Sequence, residues 1–564
     1  MNKLSKTYNK NIDFYNIVFI LLIILIGFIF CKGHYSNLLT DFGREMIFPE
    51  AIANGKVLYK DILCIYFPLA YQINALGFKI FGPSLNVLEI FGFINSIIFS
   101  TTIYIICKEF LSRKFSLLYS ITTAIATSFN GSLFNFILPY SSSMTYGVTA
   151  YTVSTLFVLK YVKGKNIINI RFAFLAAGFA FACKGEYGIL FIILLFTSII
   201  IKPCLIKENI LNICLFCMIP MISWGTIFVQ GLSISEFITA MLFMKKFFTT
   251  DSMIYHISRT GSIFRIENLA LYTRCIIGLL IFWGTSLLLF KTALKNKFLY
   301  LICIILSAFI VNKTNISLHT AILPLFVSIY LLFNLKKIYS DKVIFLLVLS
   351  ALALNLRTYW SLILTLYGMY TAPLLILAAI VLIFNYAKES IKKEDLKNFV
   401  IFITTIYLVF FTWFTVYQRN HNNTLLQGEQ GSVYLPDKQA KMLSYVISYI
   451  QTYTKPSDKI LILPEGTAIN FLVKRPVNLK MHMADRLYYD AIGGEKVLEN
   501  IKNSDYEVII VLKGYGLTNF GKPYLYTKDN DVIKYLEEKY KLDWETKFTE
   551  KNIENTLKCY VKPY

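Results

Sequence analysis

The sequence predicts an α-helical polytopic membrane protein with about 13 transmembrane helices and a small extracytoplasmic α/β domain at its carboxy-terminal end. Three observations predict it. The 564 residues are 56% hydrophobic and only 16% charged, with mean hydropathy +0.56, where a soluble domain is about one-quarter charged. Apolar runs approaching the roughly 20 residues that cross a bilayer recur over the first three-quarters of the chain. Lys and Arg gather in alternate connections between those runs, the asymmetry that orients membrane proteins.

The runs lie at 14–31, 86–107, 115–129, 146–162, 172–183, 187–201, 209–230, 269–290, 298–311, 319–335, 343–356, 371–387 and 398–417. Lys3, Lys6 and Lys10 precede the first. Alternate connections are basic, as at Lys108, Arg113 and Lys114 or at Lys336, Lys337 and Lys342. The short connections between them are nearly bare: none in 130–145, then Lys184, Lys313 and Arg357, one each. This places the amino terminus in the cytoplasm, and an odd number of spans places the tail outside. The first run is followed by Cys31-Lys32-Gly33-His34, without a small-residue cleavage site, and reads as a retained helix. The net charge of +22 does not argue for nucleic acid, because the tail at 418–564 carries 21 Lys/Arg against 18 Asp/Glu. Most of the excess sits in the membrane loops.

Three external segments are large: 32–85, 231–268 and the tail. "EMIFPEAIAN", with Gly55 as a helix stop, and "SEFITAMLFMKKFF" read as amphipathic helices lying on the outer leaflet. In the tail, "DKILILP", "YEVIIVL" and "TLKCYVKP" read as strands and "DVIKYLEEKY" as a helix. The chain thus divides at 417 into a membrane module and an external α/β domain. The ten Cys fall mostly inside apolar runs, as small hydrophobes do. Cys214 and Cys217 have no second pair that would complete a metal site, and Cys64 with Cys559 is the one disulfide to consider.

Charge at the lipid surface marks the candidate site. Asp41, Arg44 and Glu45 stand at i, i+3 and i+4 and would share one helical face. Either Thr40 or Asp41 caps a surface helix that the other charges solvate, or the acids serve chemistry. Asp61 follows in the same loop, after Tyr59. Lys184 and Arg357, isolated cations at helix ends, either snorkel to headgroups or hold an anion. Glu186 pairs with or orients Lys184. The five His are scattered, so no metal is indicated.

The first loop resembles that of a known superfamily. "DFGRE", "ANGKVLYKD" and "FPLAYQINALGFKIFG" follow the order of an acid soon after helix 1, a Gly, a Tyr-x-Asp, a Pro-Leu and a Phe-Gly. The pattern is similar to the GT-C glycosyltransferases, in the branch holding the protein O-mannosyltransferases (glycosyltransferase family 39) and the lipid A aminoarabinose transferase. "CKGEYG" at 183–188 and "NLRTYW…LYGMY" at 355–370 resemble bacterial members. The doubled Asp-Glu of many mannosyltransferases is absent, since Phe42 follows Asp41, which leaves open whether Glu45 takes the second acid's role.

The resemblance implies a polyprenyl-phosphate sugar donor, a glycan, lipid or protein acceptor, reaction at the outer face of the cytoplasmic membrane, and inversion at the anomeric carbon. It implies Asp41 as general base, Lys184 and Arg357 on the donor phosphate, and Glu45, Tyr59, Asp61, Glu186 and Tyr367 as substrate-binding candidates. No cofactor is implied, although some GT-C oligosaccharyltransferases use a divalent ion. A transporter or lipid-sugar flippase would place charges near the midplane and show symmetry between halves; neither is visible. A lipid-linked glycan polymerase or ligase would concentrate its chemistry in a late external loop, whereas the acid-rich loop here is the first. A scaffold with a binding tail would leave Asp41 and Asp61 unexplained.

Overall fold

The computed structural model describes residues 2–35, 42–130, 135–164, 166–259, 265–293, 297–314, 322–359, 364–386, 392–513, 530–550 and 553–563. In chain order its helices begin with α1 (Asn2–Cys31), α2 (Gly43–Ala53), α3 (Leu69–Phe81), α4 (Leu85–Cys107), α5 (Arg113–Ser128), α6 (Ser142–Gly164), α7 (Ile167–Cys183), α8 (Ile189–Phe196) and α9 (Ile206–Val229). There follow α10 (Ile234–Phe248), α11 (Asp251–Arg259), α12 (Leu269–Ala293), α13 (Lys297–Thr314), α14 (Leu323–Phe333), α15 (Leu335–Ser340), α16 (Lys342–Leu354), α17 (Leu364–Tyr386) and α18 (Lys393–His421). Each apolar run coincides with helix wherever it is described.

Among the described residues, five helical stretches are long and apolar enough to cross a bilayer: Asn11–Cys31, Leu85–Cys107, Ile206–Val229, Ile266–Lys291 and Lys393–His421. Shorter apolar helices include Ile167–Cys183, Lys342–Leu354 and Tyr370–Tyr386. The polar character of α5 and α6 comes from Ser and Thr. Their hydroxyls return to carbonyls one turn back, as Ser120 to Ser116, Thr127 to Thr123, Thr152 to Val148 and Thr155 to Tyr151. A hydroxyl satisfied in this way can lie in an apolar setting without an orphan donor.

The chain forms two compact units. The first comprises 1–35, 89–222 and 261–421. Its larger core joins α6, α7, α16 and α17 through Tyr151, Phe174, Leu347, Ala351, Leu377 and Val381. Small residues let α6 and α7 approach closely: Ala173 and Ala177 are fully buried, and the Ser154 hydroxyl donates to the Ala173 carbonyl at 2.7 Å. A second core joins α12, α13 and α18 through Phe282, Phe290, Val311, Phe402 and Phe410. The C-terminal turns of α18 and α1 are tied together, because Arg419 Nε donates to the Phe30 carbonyl at 2.9 Å and its guanidinium covers the Phe30 ring.

The second unit comprises 36–88, 223–260 and 422–564. A hairpin of β1 (Thr424–Gly428) and β2 (Gly431–Leu435) leads into α19 (Asp437–Tyr453). The main sheet contains β3 (Lys459–Leu463), β4 (Tyr506–Lys513), β5 (Lys541–Glu550) and β6 (Ile553–Val561) in the order β3-β4-β6-β5. β3 and β4 are parallel, and the other pairs antiparallel. Three short helices, α20 (Thr467–Leu472), α21 (Arg486–Ile492) and α22 (Gly494–Lys502), connect β3 to β4, and α23 (Asp531–Lys539) precedes β5. The three tail strands and the helix read from sequence are all present.

The grouping differs from a division at 417. The tail, the first external loop and the second form one compact unit because they share a core. Ile65 of the first loop, Phe247 and Met253 of the second, and Met483, Leu487 and Tyr488 of the tail pack together. The two-faced surface helix expected for α2 is also not what the structure shows. Gly43 through Pro49 are buried, Arg44 and Glu45 included, because tail residues cover the helix. Gly55 does end it, at φ +86°. In α10, Ser233 and Glu236 form a capping box, Ala240 and Phe247 are buried, and Ile234, Ile238 and Leu242 are exposed. Cys64 and Cys559 are both free; Cys64 lies against the Tyr66 backbone and Cys559 beside Tyr449 and Asp543.

Gly43 is where α2 meets α20. A Cβ there would lie 2.6 Å from the Ala468 backbone nitrogen and still closer to Thr467 Oγ1. Backbone cannot swing aside as a side-chain tip can. Gly43→Ala should therefore destabilise the second unit by about 1–3 kcal/mol, read as a lower thermal midpoint in detergent and faster proteolysis of the tail. An unchanged midpoint would show that the two segments part without cost.

Candidate active site

In the second unit the site is built from α2 outward. Arg44 and Glu45 are each 1% exposed, with Arg44 Nε 3.6 Å from Glu45 Oε1. Tyr71, on α3, donates its hydroxyl to Glu45 Oε1 at 3.0 Å. The Arg44 guanidinium lies 4.7 Å above the Tyr66 ring. From the tail comes His482, buried edge-to-face against Phe48 at 4.8 Å and Tyr488 at 5.3 Å. Burial, with the neighbouring Arg44 charge adding to it, pushes the His482 imidazole down to about 3. It is therefore neutral at physiological pH, and Glu45 balances the guanidinium. Burial also drives the Tyr71 phenol well above its usual range, Glu45 reinforcing the shift, so Tyr71 remains a donor. Glu50, further along α2, accepts from Gln430 of the tail at 2.7 Å.

The next turn holds Tyr59 and Asp61. The Val57 amide donates to Asp61 Oδ2 at 2.8 Å, and the Asp61 amide returns to the Val57 carbonyl at 2.9 Å. Tyr59 adopts φ +70°, a strained conformation for a residue with a side chain. Two contacts hold it there. Its hydroxyl donates to the Tyr66 carbonyl at 2.6 Å, and its ring stacks on Trp224 at 5.1 Å and 15°. Glu45 and Tyr59, two of the substrate-binding candidates, are buried and engaged within the unit, Glu45 by Tyr71 and Tyr59 by Trp224 of α9.

In the first unit, Lys184 closes α7 and Glu186 lies on the turn Gly185–Gly188 that follows. Lys184 Nζ is 3.1 Å from Glu186 Oε1. Arg357, on the turn Leu356–Tyr359, is exposed and within electrostatic range of both Glu186 and Tyr187. Lys184 thus pairs with this partly exposed carboxylate, and Arg357 acts on it through its charge. Tyr187 forms the buried wall beside them, its hydroxyl donating to the Met144 carbonyl at 3.4 Å. Tyr367 stands on the first turn of α17, with its side chain outside the described residues; Asp41 lies outside them entirely. Among the described residues, no group of three or more His, Cys, Asp or Glu could hold a metal ion.

No family model and no curated protein matches the chain; the likeness is to solved structures. The crystal structure of ArnT from Cupriavidus metallidurans bound to undecaprenyl phosphate aligns over 96% of this chain and 97% of that one, at 11% identity and a TM-score of 0.51. The archaeal oligosaccharyltransferase AglB from Archaeoglobus fulgidus, in complex with an inhibitory peptide and a dolichol-phosphate, aligns over 89% and 70%, at 12% identity and a TM-score of 0.49. The likeness is one of fold, and it is to ArnT. With its apolar helices, this makes the chain a multi-pass membrane protein.

Two buried polar residues escaped the sequence reading. His482 gives no signal, because nothing near it in sequence marks it out. Glu89 does: it is the only acid in the run 86–107, and an ionisable residue in a spanning helix calls for a partner.

The His482 shift has a pH consequence. Its folded value lies below its unfolded value, so below about 6.5 the opened state binds a proton that the folded state refuses. The packing of tail on α2 should weaken as pH falls from about 6.5 toward about 3, by at most about 1.4 kcal/mol per pH unit. His482→Gln, which does not titrate, should flatten that slope in thermal unfolding followed against pH. Equal slopes in the two proteins would mean that His482 does not face a desolvated setting.

Proposed function

We propose that this protein is a membrane glycosyltransferase that moves a sugar from a polyprenyl-phosphate donor to an acceptor hydroxyl at the outer face of the cytoplasmic membrane. The observation that carries the reading is that Lys184 pairs with Glu186 and Arg357 lies within electrostatic range of the same carboxylate, in a chain whose fold resembles that of ArnT. Two cations near one another would offer what a departing lipid phosphate needs, since its charge grows as the sugar leaves. That ArnT was solved with undecaprenyl phosphate is in keeping with such a donor.

In this mechanism the acceptor oxygen attacks the anomeric carbon while the bond from that carbon to the phosphate oxygen breaks, with inversion. The bonding electron pair leaves with the phosphate, which Lys184 and Arg357 stabilise. The acceptor proton passes to Asp41, the general base. Glu186 orients Lys184, and Asp61 and Tyr367 contact sugar or acceptor. Glu45 supports the acid-bearing segment from within, together with Arg44 and Tyr71. No cofactor is required by this scheme.

About 13 spans, a cytoplasmic amino terminus and an extracytoplasmic tail belong to the same proposal. Two features support the side assigned to the tail. Arg419 ties the end of α18 to the end of α1, so the tail and the first loop leave the first unit from neighbouring helix ends. Both loops and the tail also build one compact unit, which is in keeping with their lying on one side of the bilayer.

The tests use purified protein and a panel of polyprenyl-phosphate sugars, with products read by mass spectrometry. Asp41→Asn keeps the shape and removes the base, so turnover should fall by about 10²–10⁴-fold while donor binding persists. Near wild-type turnover would remove Asp41 from the base role. Lys184→Ala and Arg357→Ala should each weaken donor binding and slow transfer. Unchanged donor affinity in both would return these cations to a structural role.

A further inference from the structure

We propose that Glu186 is a specificity-determining residue: its carboxylate matches the charge of the site to a lipid phosphodiester and so keeps the phosphomonoester left after transfer from binding more tightly than the donor. The proposal rests on the reading of Lys184 and Arg357 as phosphate ligands. A polyprenyl-phosphate sugar carries a single negative charge on its phosphodiester. Once the bond from the sugar to the phosphate oxygen has broken, the lipid phosphate is a monoester with a charge of about −1.5 to −2 near neutral pH. A site made of two cations alone would hold that product harder than the donor, because attraction grows with the charge on the ligand.

The structure adds a third charge. Glu186 Oε1 lies 3.1 Å from Lys184 Nζ, and its side chain is 39% exposed where that of Lys184 is 17% exposed. Arg357 lies within electrostatic range of the same carboxylate. Among the described residues, two cations and one acid leave this cluster with a single net positive charge. One phosphodiester neutralises it, and a dianion exceeds it. The excess meets the Glu186 carboxylate, and like charges brought together are costly.

Charge matching works only if the acid stays beside the cations, and the packing keeps it there. The Lys184 amide ends α7 on the Ala180 carbonyl at 3.0 Å, and Lys184 Nζ also reaches Met144 Sδ at 3.2 Å. The Tyr187 amide closes the turn around Glu186 onto the Lys184 carbonyl at 3.0 Å, and the buried Tyr187 hydroxyl also reaches Met144 Sδ, at 2.9 Å. The Tyr187 ring stands edge-to-face on Tyr151 at 6.0 Å, and Tyr151 donates to the Ser350 carbonyl of α16 at 2.9 Å. That helix leads into the turn carrying Arg357. Asn355 fixes its end, donating Nδ2 to the Ala351 carbonyl at 2.8 Å and accepting at Oδ1 from the Thr371 hydroxyl at 2.8 Å. The turns that carry the acid and its two cations thus share one packed scaffold within the first unit.

The test measures equilibrium binding of two lipids to the purified full-length protein at about pH 8, above the second phosphate pKa of about 6. One is a polyprenyl phosphate, a monoester. The other is its methyl ester, a phosphodiester with the same tail, so the ratio of the two affinities reports headgroup charge. Wild type should bind the diester at least as tightly as the monoester. Glu186→Gln keeps the size and removes the charge, so the ratio should move toward the monoester by about 10-fold. Glu186→Asp keeps the charge, and its ratio should stay within about 3-fold of wild type. A wild type that prefers the monoester would overturn the proposal, and this arm decides alone if Glu186→Gln does not fold. A Glu186→Gln protein in which both affinities change equally would also overturn it, leaving Glu186 as a partner that merely orients Lys184. An Asp ratio that moves as far as the Gln ratio would do the same. A wild type that binds neither lipid would remove the phosphate reading of Lys184 and Arg357 itself, a failure distinct from two bound lipids whose ratio does not move.

Discussion

Charge in this chain is scarce, and where it is buried it must be partnered. That constraint orders the rest of the structure. Arg44 and Glu45 are both sealed from water and hold one another, with Tyr71 and Tyr66 completing the enclosure. A buried ion pair is weak evidence of stability, because a well-packed apolar substitute of similar volume is often as stable or more so. What the pair does supply is direction. A guanidinium over Tyr66 and a carboxylate under the Tyr71 hydroxyl admit few arrangements of α2 against α3, where a helix of leucines would admit several.

The same constraint explains why loops and tail form one unit. A short helix carrying two charges cannot bury itself, and α2 has only 11 residues. Cover comes from α20, which Gly43 allows to approach, and from His482 and its neighbours. His482 fits because it is neutral there; a second cation beside Arg44 would leave the cluster with unbalanced charge. The tail thus supplies the enclosure that the first loop lacks, and for that reason it is not a detachable module hung from the last helix.

The helices and tail strands were legible because each is written locally. Long apolar runs, the Ser233–Glu236 capping box and Gly55 need no knowledge of distant chain. Lys184 and Arg357 stand out in the sequence as isolated cations in bare loops, and the pairing of Lys184 with Glu186 is local; that Arg357 comes within electrostatic range of the same carboxylate has no local signal. The misread parts depend on distant partners. In α2 the spacing of Arg44 and Glu45 suits a solvated face, and nothing between residues 40 and 62 shows that residues 465–488 will cover it. Tyr59 looks like a free aromatic until Trp224 stacks upon it. Glu89 was the opposite case: its signal was local, one acid in an apolar helix, but its partner is a backbone amide, and a backbone amide has no letter in a sequence.

These anchors share a logic that bears on how chemistry is placed at a lipid surface. A rigid site on this protein cannot rely on water-exposed ion pairs, which contribute little, nor on the hydrophobic effect between spanning helices, which lipid removes. It can rely on buried polar groups whose partners lie within the protein. Glu89 with the Gly33 amide, Asn135 with the Tyr35 carbonyl, and Arg44 with Glu45 are all of this kind. In sequence they flank Asp41 on both sides, the first two before it and the third after it. The cost of burying each is met by a hydrogen bond or ion pair whose loss would leave an unsatisfied group in an apolar setting. Such contacts are strongly directional, and direction is what the proposed base would need to meet an incoming hydroxyl in line with a departing phosphate.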